Sequence, residues 1–198
     1  MGLAGKETVV VYESGFGIRA ARVGWMLEYA GTSKVFLLEG GFNAWRRSHL
    51  PVQHTPAKPE PKAFRIRPNS KLLATAHEIR TGRSSLILDV RSEREFTGTE
   101  GRDCDARKGR IPRARWLEWS YFLQDGKRFK TRSEIASSLR EKGLSKNRHV
   151  VTYCHRGARA AAAYYALRSL GYGNVKNYIG SWHEWSARKN LPVEKRNY

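Results

Sequence analysis

Residues 149–193 read HVVTYCHRGARAAAAYYALRSLGYGNVKNYIGSWHEWSARKNLPV, and residues 8–52 read TVVVYESGFGIRAARVGWMLEYAGTSKVFLLEGGFNAWRRSHLPV. The two stretches are copies of one unit. Tyr12 falls opposite Tyr153, Glu13 opposite Cys154, Gly31 opposite Gly171, Gly40 opposite Gly180 and Trp45 opposite Trp185. Each copy opens on a β-branched run, residues 9–12 or 150–153, that reads as a buried strand. A glycine-containing turn follows, then an alanine-rich helix with aromatic residues at helical spacing. Gly31 and Gly171 stand where such a helix stops. A second short strand (35–38 or 175–178) leads into a Trp-anchored helix. Alternating strand and helix predict an α/β fold with a parallel sheet.

Working outward, only the second copy has a front half. The pattern predicts a helix over 70–81, a buried strand over 85–90 (SLILDV), a turn over 109–114 and a helix over 130–142. The residues before Val9 cannot supply these elements, so the first copy begins in its own middle. Between the copies, residues 53–68 hold four of the seven prolines and several lysines, the composition of an extended linker. The expected organisation is a half unit over 1–53, a linker over 54–68 and a whole unit over 69–198. In the half unit Trp25, Met26, Phe36, Leu38, Phe42 and Trp45 seek burial. So short a segment must dock on residues 69–198, pair with a second chain or stay loosely ordered. Most of the stability is expected in the whole unit, such that a fragment starting near Lys62 folds alone and remains active.

Composition narrows the function. With 40% hydrophobic residues the chain can bury a core. No apolar run approaches the roughly 20 residues needed to span a bilayer, and no secretory signal is visible after Met1. Two cysteines, Cys104 and Cys154, are too few for a disulfide-stapled fold, which favours a reducing, cytoplasmic setting. No Cys or His pair stands at ligand spacing, so no metal is expected. The formal charge of +19 attracts anions, but the basic residues are spread along the chain without a nucleic-acid motif. The charge is therefore read as a solvated, Arg-rich surface, with no specific nucleic acid and no membrane expected as partner.

The segment Tyr153-Cys154-His155-Arg156-Gly157-Ala158-Arg159 joins a buried strand to a helix start. Unpaired N–H groups and the positive dipole end favour an anion there. His155, Arg156 and Arg159 are expected to add positive charge. Each effect favours thiolate over thiol and makes Cys154 a candidate nucleophile rather than an inert core cysteine. In tyrosine-phosphatase-like loops the phosphate-gripping arginine lies six residues after the cysteine. Here that position is Ala160, and Arg159 comes one residue earlier. The shorter cup suits a single sulfur atom better than a phosphate.

These residues resemble the two-domain rhodaneses, the thiosulfate sulfurtransferases. Cys154 to Arg159 resembles the family's six-residue active loop, and LILDVRSEREFTG its DVR motif. Gly109-Arg110-Ile111-Pro112-Arg113-Ala114 is similar to a GHIPGA turn, departing from it at Arg110 and Arg113. Tyr178-Ile179-Gly180-Ser181-Trp182-His183-Glu184-Trp185 is similar to the family's C-terminal signature. The resemblance implies a rhodanese-like domain with a central parallel sheet flanked by helices, preceded by a half rhodanese-like repeat that Glu13 makes inactive. It implies no cofactor. It implies a Cys154 persulfide, a loop of His155, Arg156, Gly157, Ala158 and Arg159 that binds the donor, and cyanide or a thiol as acceptor.

Thiosulfate is the expected donor. The related mercaptopyruvate enzymes are expected to use a loop with few charges and an arginine where this chain has Glu95, with Arg94 one position away as a substitute. A non-catalytic binding module is the reading from a different class. Asp89 and Arg91 are expected to form a structural ion pair beside the loop, and Trp182 and Trp185 to be core. Glu184 reads as a helix-start anchor, and His77 and His149 as surface residues. Arg19 and Arg22 read as decoration of a helix start, and Cys104 as an exposed loop thiol, with a resolving cysteine the rarer alternative.

Overall fold

The computed structural model describes residues 2–82 and 84–195. Met1, Arg83 and the last residues of the expected 69–198 unit, 196–198, lie outside the described residues. The first copy forms β1 (Thr8–Val11), α1 (Ile18–Tyr29), β2 (Lys34–Leu37) and α2 (Gly41–Arg47), with β1 and β2 paired in parallel. Residues 51–68 carry no regular structure and are almost wholly exposed, as the proline content predicts. The second unit adds α3 (Ala76–Thr81), β3 (Leu86–Asp89), α4 (Glu93–Thr97), β4 (Arg115–Trp116) and a small hairpin of β5 (Leu123–Gln124) and β6 (Arg128–Phe129). There follow α5 (Arg132–Glu141), β7 (Val150–Tyr153), α6 (Ala158–Ser169), β8 (Val175–Asn177) and α7 (Ser181–Ala187).

The main sheet runs β4-β3-β7-β8, all parallel. Its two inner strands are buried on both faces, which is why LILD and VVTY read as continuous runs rather than alternating ones. The period of two is visible in where the side chains go. Leu86, Leu88 and Val150 enter one core with α5 and α6, while Ile87, Val151 and Tyr153 enter the other with α3 and α7. The β3–β7 register sets Asp89 opposite Tyr153, so both strands end level beneath the loop that begins at Cys154.

The expected helix over 70–81 is broken. A 3-10 turn spans Ser70–Leu72 and α3 starts only at Ala76, behind a Thr75–Glu78 capping box. Leu73 bridges Asn177, and the Ala74 N–H donates to the Asn177 carbonyl at 3.1 Å, so this segment extends the sheet instead.

The half unit docks on the whole one through α1 against α6. Ala21 and Trp25 are each 1% exposed and belong to the same core as Leu88, Val150 and Ala161. Tyr164 donates its hydroxyl to Glu28 at 2.8 Å, and the Phe129 N–H donates to Glu39 at 2.9 Å. Phe16 meets Phe129 edge-on at 4.6 Å. The two units thus share a core, which does not favour an autonomous fragment from Lys62. Burial stops at the far face of β1 and β2. Val10 and Tyr12 are 53% and 57% exposed, whereas their counterparts Val151 and Tyr153 are 5% and 0%. Met26 and Phe36, expected to seek burial, also stand half exposed.

Candidate active site

Cys154 follows β7 directly and is 2% exposed. Its N–H donates to Ser181 Oγ at 3.1 Å, and its carbonyl accepts from the Trp182 N–H at 2.9 Å. The loop is thereby fastened to the start of α7 at its first residue. At its other end, Gly157 adopts φ +83° as the residue before α6, a left-handed conformation that favours glycine. That turn aims the Gly157 N–H at Cys154 Sγ, 3.0 Å away. Asn177 donates to the Gly157 carbonyl at 3.3 Å. The sulfur therefore sits at a helix N-terminus, where partial positive charge stabilises an anion.

The first copy shows the same device with a resident anion. Glu13, in the cysteine position, accepts from the N–H groups of Arg19 and Ala20, both at 2.9 Å, at the start of α1. Gly17, Arg19 and Ala20 stand where the second copy has Gly157, Arg159 and Ala160. At α6 the side chain in the Glu13 position is Cys154, which accepts from the N–H of Gly157, the residue before the helix.

Beneath the loop lies a buried ion pair. Arg91 bonds Asp89 through Nη2 at 2.6 Å and Nε at 3.0 Å, with both side chains almost fully buried. Tyr153 donates its hydroxyl to Asp89, and Arg91 also reaches the Gly109 carbonyl at 2.8 Å while stacking over Trp182. Burial opposes the Arg91 charge, but Asp89 outweighs it and raises the guanidinium's affinity for its proton. Burial and Asp89 likewise push the Tyr153 phenol up. Asp89 and Arg91 thus form the structural pair that the sequence suggests, tying β3, β7 and the 109–111 turn together. Trp182 and Trp185 are core, each 1% exposed. Glu184 pairs with Arg188, and His77 and His149 are exposed.

The expected charges of the loop require correction. Arg159 is bound through both edges by Glu95 of α4, at 2.6 and 2.9 Å, so its charge is matched by a carboxylate. Burial raises the Glu95 carboxyl, yet the bonds from Arg159 outweigh it and hold the group at about 2. His155 is buried, and burial holds its imidazole below the ordinary value against the pull of Asp105. A neutral ring adds no charge. Arg156 is the exposed cation of the loop. Arg94 is directed to solvent, where it pairs with Glu100 at 2.8 Å.

Two contacts have no signal in the sequence. Arg22, on α1 of the half unit, donates to the carbonyl of Arg156, so the first copy touches the loop of the second. Cys104 is exposed as expected, but it lies 3.8 Å from His155 Nε2 and 3.7 Å from Arg156 Nη2. With Asp105, His155 and His183 it forms a group of ligand-type atoms, drawn from three segments, that spacing along the chain cannot show.

The fold is a parallel α/β sheet with a buried cysteine at a strand end, facing a helix N-terminus. A model of the rhodanese-like domain matches residues 1–48 and 72–188, and the chain belongs to that family. It is 31% identical to a putative thiosulfate sulfurtransferase of Haloferax volcanii, over 99% of this chain and 72% of that protein. It is 30% identical to a 3-mercaptopyruvate sulfurtransferase of Escherichia coli, over 98% of this chain and 70% of that one. Among solved structures, the anaerobic ergothioneine biosynthesis enzyme from Chlorobium limicola superposes with a TM-score of 0.87 at 25% identity, over 100% of this chain and 53% of that chain. The chain thus spans about half the length of the solved structures it resembles. Among the described residues, no helix is long and apolar enough to cross a membrane.

Proposed function

We propose that the chain is a sulfurtransferase in which Cys154 takes the sulfane sulfur of thiosulfate and passes it to a thiophilic acceptor. The observation that carries this reading is the paired helix starts. One binds the Glu13 carboxylate through two N–H groups, and the other presents its Gly157 N–H to Cys154 Sγ. The same backbone frame in the second copy suits a bound sulfur anion.

In the proposed reaction the Cys154 thiolate attacks the outer sulfur of thiosulfate. A new S–S bond forms, the old one breaks, and its electron pair leaves with sulfite. Cys154 then carries an anionic persulfide, held by the Gly157 N–H and the start of α6. A nucleophilic acceptor attacks the outer persulfur, and the thiolate returns; with cyanide the product is thiocyanate. No oxidant or cofactor enters the balance. Gly157 and Ala158 contribute backbone to the cup, His155 packs its wall, and Arg156 meets the sulfonate end of the donor. Arg159, Asp89 and Arg91 keep the loop in shape, while Arg94 has no part in the site.

The mercaptopyruvate reading is supported by the Escherichia coli relative. It is disfavoured by Glu95, which places a carboxylate where that chemistry uses an arginine. Mass spectrometry of the protein after thiosulfate treatment tests the proposal. One added sulfur on Cys154, absent in Cys154→Ser, is expected. An unmodified Cys154 would leave a non-catalytic rhodanese-like module. Faster turnover of mercaptopyruvate than of thiosulfate in side-by-side kinetics would overturn the donor.

A further inference from the structure

We propose that Cys104, Asp105, His155 and His183 bind a divalent transition metal ion of the zinc class at the rim of the Cys154 loop. Their ligand atoms all lie within 4.8 Å of one another. Cys104 and Asp105 come from the loop after α4, His155 from the loop after β7 and His183 from the first turn of α7.

The donor set is selective. A thiolate, two imidazoles and one carboxylate match zinc or cobalt, whereas calcium and magnesium take oxygen ligands. The spacing suits a tetrahedral ion. Bonds of about 2.3 Å to sulfur and about 2.0–2.1 Å to nitrogen or oxygen put neighbouring ligands roughly 3.3–3.6 Å apart. Here Cys104 Sγ is 3.8 Å from His155 Nε2, which is 2.9 Å from Asp105 Oδ1, which in turn is 3.7 Å from His183 Nδ1. The remaining pairs lie within 4.8 Å, so rotations that move ligand atoms by up to about an ångström would close the shell.

A second observation points the same way. His183 Nδ1 is buried and has no hydrogen-bond partner, although it faces the Asp105 carboxylate. A buried polar atom without a partner costs stability, and an ion bridging it to Asp105 would remove that cost. Asp105 itself is only 2% exposed, and a buried carboxylate calls for a cation.

One charge opposes the ion. Arg156 Nη2 lies 3.7 Å from Cys104 Sγ and 3.5 Å from His183 Nε2. Its side chain is exposed and free to swing into solvent, so the incoming ion replaces the guanidinium as the local positive charge. Metal binding and the anion-facing position of Arg156 then exclude each other.

Cobalt titration of the full reduced chain, followed by absorption, tests the site without reference to sulfur transfer. One equivalent of Co²⁺ should give tetrahedral d–d bands and a thiolate-to-cobalt charge-transfer band. Cys154→Ser should retain both. Cys104→Ser should lose the charge-transfer band, and His183→Ala should weaken Co²⁺ binding by at least about tenfold. Three results would overturn the site: no d–d absorption at stoichiometric Co²⁺, a spectrum lost in Cys154→Ser but kept in Cys104→Ser, or unchanged affinity in His183→Ala.

Discussion

Arg159 and Glu95 face each other edge to edge, 2.6 and 2.9 Å apart, and join the active-loop helix to the short helix after β3. The pair ties the first turn of α6, next to Cys154, to α4. It also makes stability depend on pH. Glu95 titrates at about 2 in the folded chain, against about 4.3 for an unperturbed glutamate. The unfolded chain takes up the proton first, so the contribution is complete above about pH 4.3 and is lost as pH falls toward about 2. Its size is on the order of 3 kcal/mol. Glu95→Gln should lower the urea midpoint at neutral pH and flatten the further decline in acid. Parallel declines in wild type and variant would remove the pair from this account.

Arg156 is expected to carry the recognition of anionic donors, because His155 is neutral and Arg159 is matched by Glu95. Arg156→Ala should raise the thiosulfate KM by about tenfold, the equivalent of roughly 1.4 kcal/mol, with a smaller change in kcat. Added salt should raise the wild-type KM more than that of the variant. Steady-state kinetics at two ionic strengths separate these outcomes, and an unmoved KM would shift recognition to the backbone.

Arg22 extends the half unit's influence to the loop through the Arg156 carbonyl. Removing one such bond costs about 0.5–1.5 kcal/mol. Arg22→Ala should therefore lower the melting temperature by only a few degrees, about 2–4 °C per kcal/mol, while kcat/KM, read well below that temperature, falls by roughly three- to tenfold. Identical kinetics would mean that α1 supports the core and nothing more.

Trp25 is the deepest anchor of the half unit, 1% exposed within the main core. Trp25→Ala should destabilise the whole chain by about 3–5 kcal/mol. Wild-type unfolding should be one cooperative transition, because the units share that core. Two separated calorimetric transitions would show that residues 69–195 fold independently, as the sequence alone leads one to expect.

The local features of the site were legible in the sequence. Strand β7, the turn at Gly157 and the place of Cys154 between strand and helix start each depend on neighbours within a few residues, and all appear where the pattern puts them. The pairing of Asp89 with Arg91 was legible for the same reason. What failed was long-range. Glu95 neutralises an arginine 64 residues away, and burial rather than sequence decides the charge of His155. The helix over 70–81 breaks because Leu73 finds a strand partner at Asn177, a contact that helix propensity does not register. The repeat pattern also does not register that α1 contributes Ala21 and Trp25 to the core around β3 and β7.

Glu13 gives the two copies different thermodynamic characters. Its carboxylate is tethered to the chain, so it satisfies the start of α1 permanently and at high effective concentration. An outside anion would have to displace it, and converting Glu13 to cysteine would have to undo a helix cap before it created a reactive thiol. At the corresponding helix start the second copy has Cys154, where Sγ rather than a carboxylate accepts from the Gly157 N–H. Under the proposed sulfur transfer, the two helix starts would divide the labour: one holds a tethered carboxylate and gains rigidity, and the other stays exchangeable for a transferable sulfur.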